Sequence, residues 1–388
     1  MGFALGTLTA SAHGVRRPLT VLSLLTMLAA CSSSSPADPA RPPEPTPAVE
    51  AGPGDLVPDP ACAPPAITFK RSPIAIDPPR DHHFTAVHEV AGVPYLYVMG
   101  GEQDDFAIVH ADIQRAKIGD DGSLGAFEPA GTIPSGVAGS GFAVVGDDVV
   151  LFGGITGPQG IATDTIQSGR FRADGKITEW KTAASKLPSR VLHSSAVVVG
   201  RNVYVFGGTT GTSPRPISGK LTVNADGTLT PLVALRPLSP ARSHQAAFVA
   251  QGGVYLVGGL DKSSQGNPPS LSDVVRATFE PDGTIAGWTN VGKIESPLSI
   301  SAAEQVGCSI LLIGGLDDTN GGPYSDGVLR GSVLKDNSFR TEKALSARVS
   351  VARGHVHQTP VYKNHLYSVG GRDNESKQIG IIDIGTIE

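Results

Sequence analysis

The sequence predicts an all-β protein built from a repeated four-stranded antiparallel unit. Three observations carry that expectation. Gly (48) and Pro (31) supply about a fifth of the 388 residues, against ~12% in an average chain, and both penalise helix interiors. Short apolar runs end in a Gly-Gly pair six times, at Gly100-Gly101, Gly153-Gly154, Gly207-Gly208, Gly258-Gly259, Gly314-Gly315 and Gly370-Gly371, with spacings of 53, 54, 51, 56 and 56 residues. After each of the first five pairs comes a two-residue turn signal: Asp121-Gly122, Asp174-Gly175, Asp226-Gly227, Asp282-Gly283 and Asp336-Asn337. Such pairs tolerate the positive φ that a tight hairpin requires.

Composition also excludes several classes. No Gly-X-Y period appears, so the chain is not collagen-like. At 40% hydrophobic residues it is not wholly disordered. The net charge is −5 with no Lys/Arg block, so nucleic acid is not an expected partner.

Residues 1–30 read as a secretion signal. Arg16 and Arg17 precede a 13-residue apolar stretch, 18–30, too short to span a bilayer as a helix. It ends in Leu28-Ala29-Ala30-Cys31, which resembles a bacterial lipobox and makes Cys31 the expected lipidated N-terminus. Residues 31–65 form the tether. Eleven Pro fall between positions 32 and 65 among Ser, Ala, Glu and Gly, a composition that buries no core and stays extended. The expected location is the cell envelope, with the membrane reached only through the lipid. With Cys31 lipidated, Cys62 and Cys308 remain; an exported protein can pair them as a disulfide or leave two free thiols.

Residues 66–388 hold the repeat. Each Gly-Gly run is preceded by another apolar run across a tight turn, such as Gly200-Arg201-Asn202, which is hairpin grammar. A third run leads to the Asp-Gly turn. Five residues past that turn stands Phe127, Trp180, Leu232 or Trp288, the anchor of a fourth strand; the fifth unit has Glu342 there, with Phe339 as the substitute.

Arg and His before a small-residue strand, a strand ending in Gly-Gly, and a later Trp together resemble the kelch repeat. The resemblance covers 66–388. It implies a six-bladed β-propeller with one repeat per blade. The sixth unit begins near Arg353 and lacks a fourth strand, its third being read at 379–384. Residues 66–79, carrying Phe69, are expected to supply the missing strand and close the ring.

Alternating strand directions sort the connections onto two faces. One carries tight turns. The other carries the entry to each first strand and the longer loops after Gly-Gly, the usual place for binding on a rigid scaffold. Arg80 and His83, Arg190 and His193, Arg242 and His244, and Arg353 and His355 recur on that face, while Gly139-Ser140 and Ser296 interrupt the series. Acidic residues join them: Glu102, Asp104 and Asp105; Asp261; Asp317 and Asp318; Asp373 and Glu375. The functional expectation is a charged mouth for an anionic or polyhydroxylated ligand. The structural alternative pairs each Arg with an acidic loop residue of a neighbouring blade.

The same residues also bear on enzymatic readings. His355 and His357 share one strand face and His82 and His83 open the next blade, a set suited to zinc or copper. No carboxylate at fixed spacing completes it, so no metal and no cofactor is assigned. A radical copper site of the galactose-oxidase kind needs a Tyr–Cys pair, and Cys308 lies beside a turn on the other face. The sialidase box is absent, because Asp174-Gly175 is a turn and Trp180 its anchor. An exported sugar-acid mutarotase remains the competing reading, with Glu89 or Glu304 as acid–base. The leading expectation is a monomeric binding module for a protein or glycan.

Overall fold

The computed structural model describes residues 63–157, 160–261, 270–317, 323–342 and 344–388. The expected signal segment at 1–30, most of the expected tether at 31–65, Cys31 and Cys62 lie outside the described residues. Cys308 is disulfide-bonded.

The described residues contain strands and no helix. They form a β-propeller of successive antiparallel meanders. The first meander runs Phe84–Val90, Val93–Met99, Asp112–Lys117, Glu128–Thr132. The second uses Gly141–Val145, Asp148–Phe152, Ile166–Phe171 and Ile177–Thr182. The third begins with Ser195–Val199 and Asn202–Phe206, the fourth with Ala246–Ala250 and Gly253–Val257, and the fifth with Ala302–Val306 and Ser309–Ile313.

The sixth meander is assembled from both ends of the described chain. Val361–Tyr362, His365–Val369 and Ile382–Ile387 pair in turn, and Ile67–Arg71 adds antiparallel to the last of them, Ile67 opposite Ile387 and Arg71 opposite Asp383. The third strand lies three residues beyond the expected 379–384. Phe69 is the anchor: a Cβ on Gly385 would sit 2.9 Å from its ring, so only Gly lets the aromatic lie flat across the third strand. Phe339 plays the same part over Gly331, which makes it, and not Glu342, the fifth anchor.

The Gly-Gly pairs explain themselves at the seams between blades. The second Gly of each donates its N–H to the entry of the next: Gly101 to the Val137 carbonyl, Gly154 to Val191, Gly208 to Arg242, Gly259 to Leu298, Gly315 to Arg353 and Gly371 to Arg80. The last link joins the final repeat to the first. At Gly258 a Cβ would lie 2.1 Å from the Leu298 carbonyl oxygen, and Gly259 has φ +94°. A side chain at either place would force the two blades apart.

The core sits between blades. Phe84, Tyr97 and Met99 meet Phe142, Val149 and Leu151 across one seam. Leu96 and Val98 meet Tyr367 and Val369 across the seam that closes the ring. Each fully buried side chain of this size contributes ~1.5–3 kcal/mol. The second-strand tyrosines add a polar stitch on the tight-turn face: Tyr97 donates to the Gly175 carbonyl, Tyr204 to Gly283, Tyr255 to Asn337 and Tyr367 to Gly122, each at 2.8–3.1 Å and each in the next blade's turn.

Candidate ligand site on the propeller axis

Two residues past each carbonyl that receives a Gly-Gly bond, the chain takes a positive φ: His82 (53°), Gly139 (62°), His193 (56°), His244 (56°), Ile300 (61°) and His355 (59°). These six residues face one another around the axis. His82 donates its backbone N–H to the His355 carbonyl, Gly139 to His82, His193 to Gly139, His244 to His193 and Ile300 to His244, at 2.7–3.2 Å. The left-handed turn costs a non-Gly residue ~1 kcal/mol or more; these five backbone hydrogen bonds hold it there. The matching histidine of the first blade is therefore His82, not His83. The His83 ring packs between blades instead, its Cε1 2.8 Å from where a Gly370 Cβ would stand, and burial brings its pKa down to about 3.

The arginines are committed to the blades. Arg80 donates to both Asp112 oxygens at 2.8 and 3.1 Å and to the Gly100 carbonyl. Arg242 does the same with Asp273, at 2.9 and 2.7 Å, and Gly258. Arg353 binds Asp383 and the carbonyls of Gly370 and Ile381. All three guanidinium groups are at most 1% exposed. Their partners lie on the third strand of the same blade, not on a neighbouring loop as the structural alternative supposed. Arg190 is exposed and stands one residue out of register, since Val191 fills the corresponding place.

What remains at the axis is a cluster of imidazoles. The His82 ring lies 4.2 Å from His355, 4.8 Å from His193 and 5.8 Å from His357. His193 stacks on His244 at 3.7 Å. His355 shares a 2.9 Å hydrogen bond with the Tyr324 hydroxyl. His82 Nε2, His193 Nδ1, His355 Nδ1 and His357 Nε2 are buried without a hydrogen-bond partner. Leaving such a group unpaired costs ~1–3 kcal/mol.

One side of the cluster is anionic. The loop after Gly371 brings Arg372 to Asp81, Glu102 and Asp105, each at 2.6 Å, and His82 Nδ1 bonds Asp81 Oδ1 at 2.6 Å. Here an arginine does pair with a neighbouring blade's acids. Burial alone would lower the His82 pKa, but Asp81 and Glu102 override it and push it up to about 9. Burial would raise Asp81, and the adjoining His82 and Arg372 hold it well below the carboxylate range. His193, His244 and His355 are driven far below the usual histidine range by burial, then by their neighbours. At neutral pH the cluster thus holds one imidazolium among neutral rings.

Below it, a cavity of about 580 Å³ runs along the first strands, from His193, His244 and His357 past Val87, Val144 and Val198 to Glu304 and Pro360. Burial pushes the Glu304 carboxyl up to about 7. Glu89, the other acid considered from sequence, is exposed and accepts a hydrogen bond from Tyr362. Sequence reasoning missed Arg372, Tyr324 and Asp81, and named His82 and His357 only as outlying metal ligands. The pattern Arg-x-His in Arg80–His82, Arg242–His244 and Arg353–His355 was the available signal.

No family model matches the chain, and no curated protein matches it. Among solved structures, that of YjhT aligns with a TM-score of 0.60 at 12% identity, over 82% of this chain and 99% of YjhT. At that identity the likeness concerns the fold.

Proposed function

We propose that this chain is a kelch-type propeller lipoprotein, held to the cell envelope through Cys31, that binds a polyhydroxylated glycan or a protein side chain of similar chemistry at the axial histidine cluster on its long-loop face. One observation carries the reading. Where the blades converge, four imidazole nitrogens are buried and unpartnered, while the guanidinium groups of Arg80, Arg242 and Arg353 each pair with an aspartate of their own blade. A fold that leaves polar groups unpaired at its centre gains when a ligand pairs them. Neutral imidazoles and the His82 cation offer both acceptors and donors to hydroxyl groups.

The test is a glycan and protein interaction screen with the full chain and with His355→Ala. The expected result is a ligand whose affinity falls at least tenfold in the variant; a ligand bound equally by both places recognition elsewhere. Incorporation of a palmitate analogue, abolished by Cys31→Ser, tests the anchor.

Glu304 favours a second reading, a carbohydrate-active enzyme of the mutarotase kind. A carboxyl with a pKa near 7, lining the same cavity as His193 and His357, is suited to general acid–base work. Under that reading Glu304→Gln abolishes turnover and keeps binding.

A further inference from the structure

Three of the axial rings differ from the rest. His82, His193 and His357 each offer a ring nitrogen, and the three nitrogens lie within 4.8 Å of one another. A point between them is no more than about 2.8 Å from each, against ~2.0–2.1 Å for a zinc–imidazole bond; modest ring rotations close the gap. The free nitrogens of these rings are His82 Nε2, His193 Nδ1 and His357 Nε2, none with a hydrogen-bond partner. Asp81 holds the other His82 nitrogen at 2.6 Å, the carboxylate–histidine support that orients metal-bound imidazoles, and a cation arriving at Nε2 displaces the proton that the His82 imidazolium carries there to solvent. His193 and His357 also line the axial cavity, so a fourth coordination position would face open space. The other grouping of ligand types, Asp81, His82 and Glu102, already has its cation: the Arg372 guanidinium sits 2.6 Å from both carboxylates.

We propose that His82, His193 and His357 form a three-imidazole site for a divalent transition cation of the zinc type, with its open position directed into the axial cavity. Imidazole donors suit zinc and its neighbours in the first transition row, and three protein ligands with one vacancy is the arrangement of an exchangeable or reactive centre. The site goes beyond the ligand-binding reading and does not depend on it.

The experiment titrates Zn²⁺ into the full chain, purified without a histidine tag, stripped with chelator, and free of glycan or protein ligand. Calorimetry is expected to give one ion per chain, with affinity at least a hundredfold weaker in His193→Ala and in His357→Ala and unchanged in His88→Ala, whose ring stacks on Phe171 away from the cluster. Circular dichroism of each variant verifies the strand signature. Co²⁺ in the same site is expected to give the intense visible bands of a tetrahedral ion. Absence of saturable binding, affinity in either cluster variant equal to that of the unsubstituted chain, or an octahedral Co²⁺ spectrum would overturn the proposal. Because no organic ligand is present, a failure here leaves the ligand screen to be judged on its own result.

Discussion

Two sets of blade-to-blade hydrogen bonds circle the axis, only two residues apart along the chain. The set made by the Gly-Gly pairs is the same at every seam, from Gly101–Val137 to Gly371–Arg80. It depends on residues that lack side chains. The set made by the positive-φ residues repeats in its backbone over five links, from His82–His355 to Ile300–His244, yet its side chains are His, Gly, His, His, Ile and His. Uniformity in the first set is what a framework needs. Variety in the second, with unpaired nitrogens, has no comparable structural use. The regular seams hold the propeller together, and the irregular ring is free to serve a ligand.

Substitutions can break that contrast. The largest effect is expected on the framework side, at Arg353→Ala. This change strands Asp383, which is fully buried, and takes the arginine away from the Gly370 and Ile381 carbonyls. Removing one partner of a buried pair typically costs ~3–5 kcal/mol, and urea unfolding should register a loss in that range; Arg190→Ala, on the surface, should shift stability by no more than ~0.5 kcal/mol.

Gly258→Ala comes next. Its Cβ would meet the Leu298 carbonyl at 2.1 Å and the Leu271 carbonyl at 3.1 Å. With backbone on both sides and little room to yield, a loss of about 3 kcal/mol is expected, read as a lower urea midpoint. Smaller again is Tyr367→Phe, which removes the 3.0 Å bond to the Gly122 carbonyl across the closing seam; ~1 kcal/mol is the usual size of such a bond.

The axis should respond to pH where the framework does not. Glu304 titrates at about 7 in the fold against 4.5 when exposed. Below pH 4.5 the carboxyl is protonated folded or unfolded, and the fold bears no penalty. Between 4.5 and 7 the unfolded chain ionises freely while the folded one resists, so stability falls across that window and levels off above it. Glu304→Gln should flatten that slope of the stability–pH profile and leave the seams unaffected.

Much of the framework was legible. The Gly-Gly spacing gave the repeat, and Phe69 pointed to an N-terminal strand that indeed pairs with Ile382–Ile387. Arg80–Asp112, Arg242–Asp273 and Arg353–Asp383 recur at separations of 32, 31 and 30 residues, a regularity that would have marked the arginines as structural. The axis was harder to read because it is defined by a backbone dihedral and not by residue type. Gly139 and Ile300 look like interruptions in the sequence yet share the conformation of His82. In the first blade adjacent His82 and His83 compete for the place, and only the backbone hydrogen bonds from His82 to His355 and from Gly139 to His82 decide between them. Arg372 escaped notice since its acids lie on a blade joined to it through ring closure, about 270–290 positions away.

The axial histidines are expected to serve a ligand and not the fold. Binding and unfolding measured in parallel on the full chain carrying both His193→Ala and His355→Ala test it most directly. The expected result is a urea midpoint close to that of the unsubstituted chain, because both rings bury unpaired nitrogens, together with at least a tenfold loss of affinity for the ligand identified in the screen. A chain that unfolds much more readily while its residual folded fraction binds the ligand undiminished would contradict the claim.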